Sequence, residues 1–244
     1  MPGPVHYLPI VTTVLAALFL AVLVRAAGKR RSGPHLLWWA FGVFAYGLGT
    51  GIESAITLFG NTVALNKAWY VAGALLGGYP LAQGVVYLLL KRKTANVLSA
   101  VTVPFIVAAS VLVLMSPVDL AALDPVRPSG AILAWSWVRL LTPFINLYAF
   151  AFLVGGAIVS AVRYRRKNAD AVFVRGNVLI AVGGVLPGFG GAMAKAGHVE
   201  YLYVGEMVGL CLIWFGYSLI ARHNAEARKA VGAPVTVPGE QARV

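Results

Sequence analysis

Charge is what this chain has least of. Only 11% of its 244 residues are charged and only eight are Asp or Glu, while 59% are hydrophobic and the mean hydropathy is +0.80. A soluble chain carries roughly a quarter charged residues, so a water-exposed globule is excluded. Cysteine is almost missing as well. Cys211 alone can form neither an internal disulfide nor a cysteine-built metal site. Histidine is scarce, and His6, His35, His198 and His223 fall in termini or connections, leaving no bis-histidine haem site at membrane depth. No serine–histidine–acid set, H-E-x-x-H or aspartate pair occurs within an apolar run, which argues against an intramembrane hydrolase. No catalytic residues, cofactor or metal are expected, and the chain is read as non-enzymatic.

What is present is apolar sequence in long runs. Seven can be drawn, over about residues 7–24, 36–59, 68–90, 97–115, 137–162, 177–194 and 201–221. A bilayer span needs about 20 such residues, so seven spans use nearly the whole chain. The connections alternate in charge. Arg25 with Lys29, Arg30 and Arg31, then Lys91, Arg92 and Lys93, then Arg163, Arg165, Arg166 and Lys167, then Arg222, Arg228 and Lys229 mark every second break. The opposite side holds only Lys67, Arg127, Arg139 and Lys195, with Asp119, Asp124 and Glu200 among them. Basic loops stay cytoplasmic, which places the N-terminus outside and the C-terminus inside. The net charge of +12 is spread over these flanks, so it does not indicate nucleic acid. The first run has its basic cluster behind it, the reverse of a secretory leader, and is read as a retained span.

The fold expected is all-α: a polytopic seven-helix bundle over residues 1–222, with a short cytoplasmic tail at 223–244. The tail begins helically and gives way to Gly232, Pro234 and Pro238, a composition that favours disorder. An inner-membrane, multi-pass location follows, in a bacterium by the Ala-, Gly- and Val-rich composition. Trp38, Trp39, Trp69, Tyr70, Trp135, Trp137, Tyr164, Tyr201 and Tyr203 lie near run ends and read as headgroup anchors. The outer connection at about 116–136, with Pro117, Pro125 and Pro128, reads as an ordered loop over the mouth of the bundle. Small-xxx-small pairs at Gly47/Gly51, Gly73/Gly77, Gly184/Gly188 and Gly205/Gly209 suit close helix contact. Gly49 to Ala55 echoes Gly188 to Ala194, and Gly73, Gly77 and Gly84 echo Gly205, Gly209 and Gly216. These echoes fit either a parallel three-plus-one-plus-three repeat or the ordinary recurrence of glycine. Pro80 and Pro187 are expected to interrupt the third and sixth helices.

The informative residues are polar ones at membrane depth. Glu53 and Glu206 each lie some six residues from the outer end of a run, about 9 Å in at 1.5 Å per residue. A carboxylate there must be paired, protonated or solvated. Lys195 and Arg139 are the outer cations available to set their protonation or to bind an anionic group. Gln83 and Asn146 lie deeper, with Tyr46, Tyr79 and Tyr148 as partners. Together these residues suggest an outward-opening ligand-binding pocket ringed by runs two, three, five, six and seven. The competing reading makes the two glutamates structural, neutral or salt-bridged. The seventh run has no lysine to carry a retinal Schiff base.

Trp39 and Phe41, Glu53, Trp69-Tyr70, Gly73, Pro80 and Tyr87 give residues 36–90 a pattern that resembles the seven-helix membrane sensor region of bacterial histidine kinases. That resemblance implies recognition of a small molecule or ion and, since nothing after the seventh run could signal, a separate cytoplasmic signalling partner. The topology is also similar to the sugar transporters built from two three-helix halves, without their Pro-Gln signature. The functions expected are therefore a receptor-like binder of a small molecule or ion in the lipid bilayer, a small proton-coupled secondary transporter, or a structural subunit of a complex.

Overall fold

A chain this apolar can satisfy its backbone away from water only by pairing it within helices. The structure, a computed structural model, describes residues 3–28 and 33–232. Lys29, Arg30, Arg31, Pro234 and Pro238 lie outside the described residues. Among the described residues no strand forms beyond one isolated antiparallel bridge between Val118 and Leu133. The long helical elements are Leu8–Ala27 (α1), Pro34–Phe59 (α2), Val63–Leu89 (α3), Arg92–Met115 (α4), Ser136–Arg166 (α5), Ala171–Lys195 (α6) and Val199–Gly232 (α7). All except α2 are long and apolar enough to cross a membrane. Helix α2 has the length, at 26 residues, but Trp38, Trp39, Tyr46, Glu53 and its glycines lower its hydropathy. The chain is an all-α, multi-pass membrane protein.

Side-chain exposure agrees with a bundle in lipid. Val97, Val101, Val107, Val111 and Leu114 of α4 face outward, as do Val11, Val14 and Leu18 of α1. In water such a surface would aggregate. The interior is a central cluster around Phe19, Val43, Leu81, Leu153, Ile180 and Leu210. A second cluster on the side of α4 gathers Tyr70, Leu75, Tyr79, Ile106, Val113 and Ile145. Trp39, Tyr70 and Tyr203 are buried in the protein, which corrects their reading as headgroup anchors.

Glycines set how closely the helices pack. On α6, Gly176, Gly183 and Gly190 recur every seven residues, and each meets α7 backbone near Gly216, Gly209 and the Tyr201–Leu202 peptide. On the other side of the bundle Gly49 of α2 meets Gly73 of α3, where an added Cβ would stand 3.1 Å from the Gly73 Cα. Helices α2 and α3, and α6 and α7, thus cross through glycine, although Gly188, the counterpart of Gly49 in the repeated spacing, meets nothing within 4 Å.

The two prolines behave differently. Helix α3 widens to a π turn at Tyr70–Leu75, breaks over 76–78, and restarts with Pro80 in its first turn. Helix α6 is not interrupted, and Pro187 sits inside it. The reason is local: proline cannot donate to the carbonyl four residues back, which is that of Gly183. That carbonyl faces Gly209 of α7 instead, where an added Cβ would lie 2.7 Å from it. The neighbouring backbone takes up the freed group, so the helix need not bend open.

The outer connection is ordered by two asparagines. Asn66, buried at 1% exposure, donates to the Ser129 carbonyl (2.7 Å) and accepts from the Ser129 N–H (3.0 Å). Asn61 donates to the carbonyls of Asp124 (2.8 Å) and Arg127 (3.2 Å). Lys67 Nζ donates to the carbonyls of Leu114 and Ser116 at the C-terminus of α4, where a cation meets the negative end of the helix dipole.

Two outcomes follow. Gly209→Ala has to displace backbone and the Pro187 ring and is expected to cost about 1–3 kcal/mol, as overpacking does. Gly188→Ala meets nothing within 4 Å and should be neutral, so thermal unfolding in detergent separates the two unless the packing is wrong. Asn66→Ala removes the clasp on Ser129, and hydrogen exchange over residues 117–135 should speed up selectively.

Candidate functional site

The close crossing of α2 and α3 at Gly49 and Gly73 brings Trp69 onto the α2 face that carries Glu53. Trp69 Nε1 donates to Glu53 Oε1 at 2.7 Å, giving the indole N–H the partner it needs inside a protein. From the far end of the sequence, α7 presents Glu206 to the same point, and the two carboxyl groups lie close enough to act directly on each other. Tyr46, two turns before Glu53 on α2, ties the helices together by donating to the backbone carbonyl of Glu206 at 2.9 Å.

Glu53 is 2% exposed. Oε2 of Glu53 and Oε2 of Glu206 are both buried and receive no N–H or O–H from the surrounding protein. These facts have one consistent chemical meaning. Carboxylates are acceptors only, so two of them can adjoin stably in a buried site when one carries an acid proton to donate to the other. Without it, two negative charges would stand in contact in a low-dielectric site.

The surroundings are polar and closely tied. Tyr203, about one turn before Glu206, is buried and meets the His6 ring edge-on at 5.7 Å. Thr57 of α2 donates to the His6 carbonyl at 3.0 Å, and Thr13 of α1 donates to Thr50 of α2 at 2.9 Å. Helices α1, α2, α3 and α7 therefore build the site. The connection at 116–136 reaches this end of the bundle, where Asn61, just past the end of α2, bonds the Asp124, Pro125 and Arg127 backbone.

The other expected site residues lie elsewhere. Lys195 and Arg139 are exposed, and neither pairs with a glutamate. Lys195 ends α6, and Arg139 lies in the turn opening α5, which packs on α4 and not on α2 or α7. The remaining outer cations are engaged: Arg127 with Asp124 at 2.9 Å and Lys67 with helix-end carbonyls. Gln83 is buried, but its amide is satisfied locally by Ser99 (2.7 Å), the Ala95 carbonyl (3.3 Å) and the Tyr148 hydroxyl (2.5 Å). Its neighbour Gly84 packs against Trp39, fourteen residues or about 21 Å along α2 from Glu53. Asn146 is exposed on the outer face of α5 beside Leu147. The six residues are thus not one pocket: the structure brings Glu53 and Glu206 together and disperses the other four.

Sequence reading missed Trp69 and Tyr203 as site residues, because both stand near helix ends where aromatic rings commonly meet headgroups. The signal that could have found Trp69 is its place one turn before Gly73, where α3 must come close to a neighbour. Among the described residues no cluster of three or more His, Cys, Asp or Glu could hold a metal. What the pair can do chemically is hold and exchange a proton, or accept a small cation in its place. Comparison with known proteins finds no matching family model, no matching curated protein and no matching solved structure.

Proposed function

We propose that this chain is a seven-span protein of the inner membrane, N-terminus outside, that recognises an ion, a proton above all, at the Glu53–Glu206 pair. The single observation carrying this reading is the buried contact between two carboxyl groups whose remaining needs the protein does not meet. An acid pair built only to join helices would have its oxygens satisfied by fixed donors, as Gln83 is. The alternation of basic and sparsely charged connections supports the orientation. The resemblance of residues 36–90 to histidine-kinase sensor regions supports a receptor-like, non-enzymatic role.

Loss of the proton would place two like charges in contact and push α7 from α2, and Trp69 would carry that movement to α3. One observation favours a second reading, a small proton-coupled transporter. Trp69 immediately precedes the π turn at Tyr70–Leu75 and the break over 76–78, and such irregularities allow a helix to shift in two parts.

Infrared difference spectra between acidic and alkaline pH should contain the C=O band of a buried carboxylic acid. Glu53→Gln and Glu206→Gln should each remove it. An unchanged band in both variants sinks the proposal. Alkaline pH should lower the thermal midpoint of the native protein by separating the pair. In Glu206→Gln that pH dependence should flatten, because the amide can donate to Glu53 without titrating. Proteoliposomes loaded with a pH dye decide between the readings: proton flux abolished by either substitution indicates a transporter, and its absence indicates a sensor.

A further inference from the structure

An elongated apolar groove of about 410 Å³ runs between α5 and α6. Its walls include Val154 and Ala161 on α5 and Val174, Val178 and Val185 on α6, and its only charged lining residue is Arg165. On each helix the lining spans twelve residues, a rise of about 16 Å at 1.5 Å per residue. That is the depth of one leaflet of a hydrocarbon core about 30 Å thick. Because α5 and α6 are antiparallel and joined by a short turn, Arg165 lies level with Val174 at the basic end of the bundle. Val154 and Val185 close the other end near mid-membrane. Arg165 is exposed, and among the described residues its guanidinium has no hydrogen-bond or ion-pair partner. The groove therefore has the length of an acyl chain, a lining that suits one, and a guanidinium unpaired among the described residues where a headgroup phosphate would stand.

We infer that this groove binds one anionic phospholipid from the leaflet at the basic end, an acyl chain lying along α5 and α6 and its phosphate on Arg165. Guanidinium donates to phosphate through paired, charge-assisted hydrogen bonds, and clustered basic residues raise the local concentration of anionic lipid. The site is independent of the glutamate pair, which α1, α2, α3 and α7 build.

Native mass spectrometry of the full chain in detergent, titrated with phosphatidylglycerol or with phosphatidylcholine of the same acyl chains, tests it. One phosphatidylglycerol should bind in preference to phosphatidylcholine. Arg165→Gln should weaken it on the order of tenfold, as loss of a charge-assisted hydrogen bond does, while Arg175→Gln, just outside the lining, should leave it within about twofold. Val178→Trp should fill the groove and abolish binding. Leu147→Trp, an equally bulky change on an exposed face elsewhere, should not, and equal thermal midpoints would show that both variants fold. Equal affinity for the two lipids, equal effects of the two arginine changes, or equal effects of the two tryptophans would each overturn the assignment. A dimer lost on Val178→Trp would overturn it too, by giving the groove to a second copy of the chain.

Discussion

Close backbone approach is the constraint on which the rest of this bundle depends. Lipid tails are as apolar as leucine, so two helices in a bilayer gain little from hiding apolar surface against each other. They hold together where backbones come near enough for dispersion and weak C–H···O contacts to act. Helices α6 and α7 meet this requirement through glycines along most of their shared length, and α2 meets α3 at Gly49 and Gly73. The freed carbonyl of Gly183 shows the economy of the arrangement. A proline that would distort an isolated helix is accommodated because a glycine on the facing helix leaves room for the carbonyl it orphans.

The same approach distance places the acid pair. With a side chain at position 49, α3 would stand off from α2 and Trp69 could not reach Glu53. With a side chain at position 209, α7 would be displaced from α6 near the level of Glu206. Glycine packing and the buried carboxyl contact are therefore one design viewed at two scales. A change at the carboxyl pair bears directly on backbones that have no flexible side chains between them to absorb a shift. That is why occupancy of the pair can bias the helices, since interfaces packed this closely tend to exchange between discrete arrangements.

Much of this was legible in the sequence, because hydropathy and charge alternation report how the chain meets lipid and water. The long helices lie where the apolar runs stand, and the outer loop is ordered as its prolines suggested. Glu53 and Glu206 were legible as well, since a carboxyl at membrane depth needs a reason to be there. What the sequence concealed is azimuth, the direction each side chain takes around its helix. Gln83 and Asn146 look alike as isolated polar residues in apolar runs. One points into a hydrogen-bonded cluster with Ser99 and Tyr148, and the other points outward beside Leu147. Lys195 and Arg139 stand near the same end of the bundle, but Lys195 ends α6 with its side chain exposed beyond the level of Glu206, and Arg139 is exposed in the turn opening α5. Trp69 and Tyr203 were hidden for the opposite reason. Their depth matched a headgroup anchor, and only the rotation of their helices turns them inward.

The pairing of acid with acid, when four cations lie at the same end of the bundle, is the feature on which the proposed ion site rests. An arginine against Glu53 would hold the carboxylate charged at every physiological pH and fix α2 to its neighbour permanently. A glutamine in place of Glu206 would satisfy Glu53 with a donor that never leaves. A second carboxyl gives a bond whose strength depends on a single exchangeable proton, and whose loss turns attraction into repulsion at the same contact. The cations that could have quenched this are held elsewhere: Arg127 by Asp124, Lys67 by carbonyls at the end of α4, and Arg139 and Lys195 at exposed positions near helix ends. This end of the bundle thus keeps its four Lys and Arg side chains apart from the buried carboxyl pair, and that separation leaves the proton as the group that can join the two carboxyls.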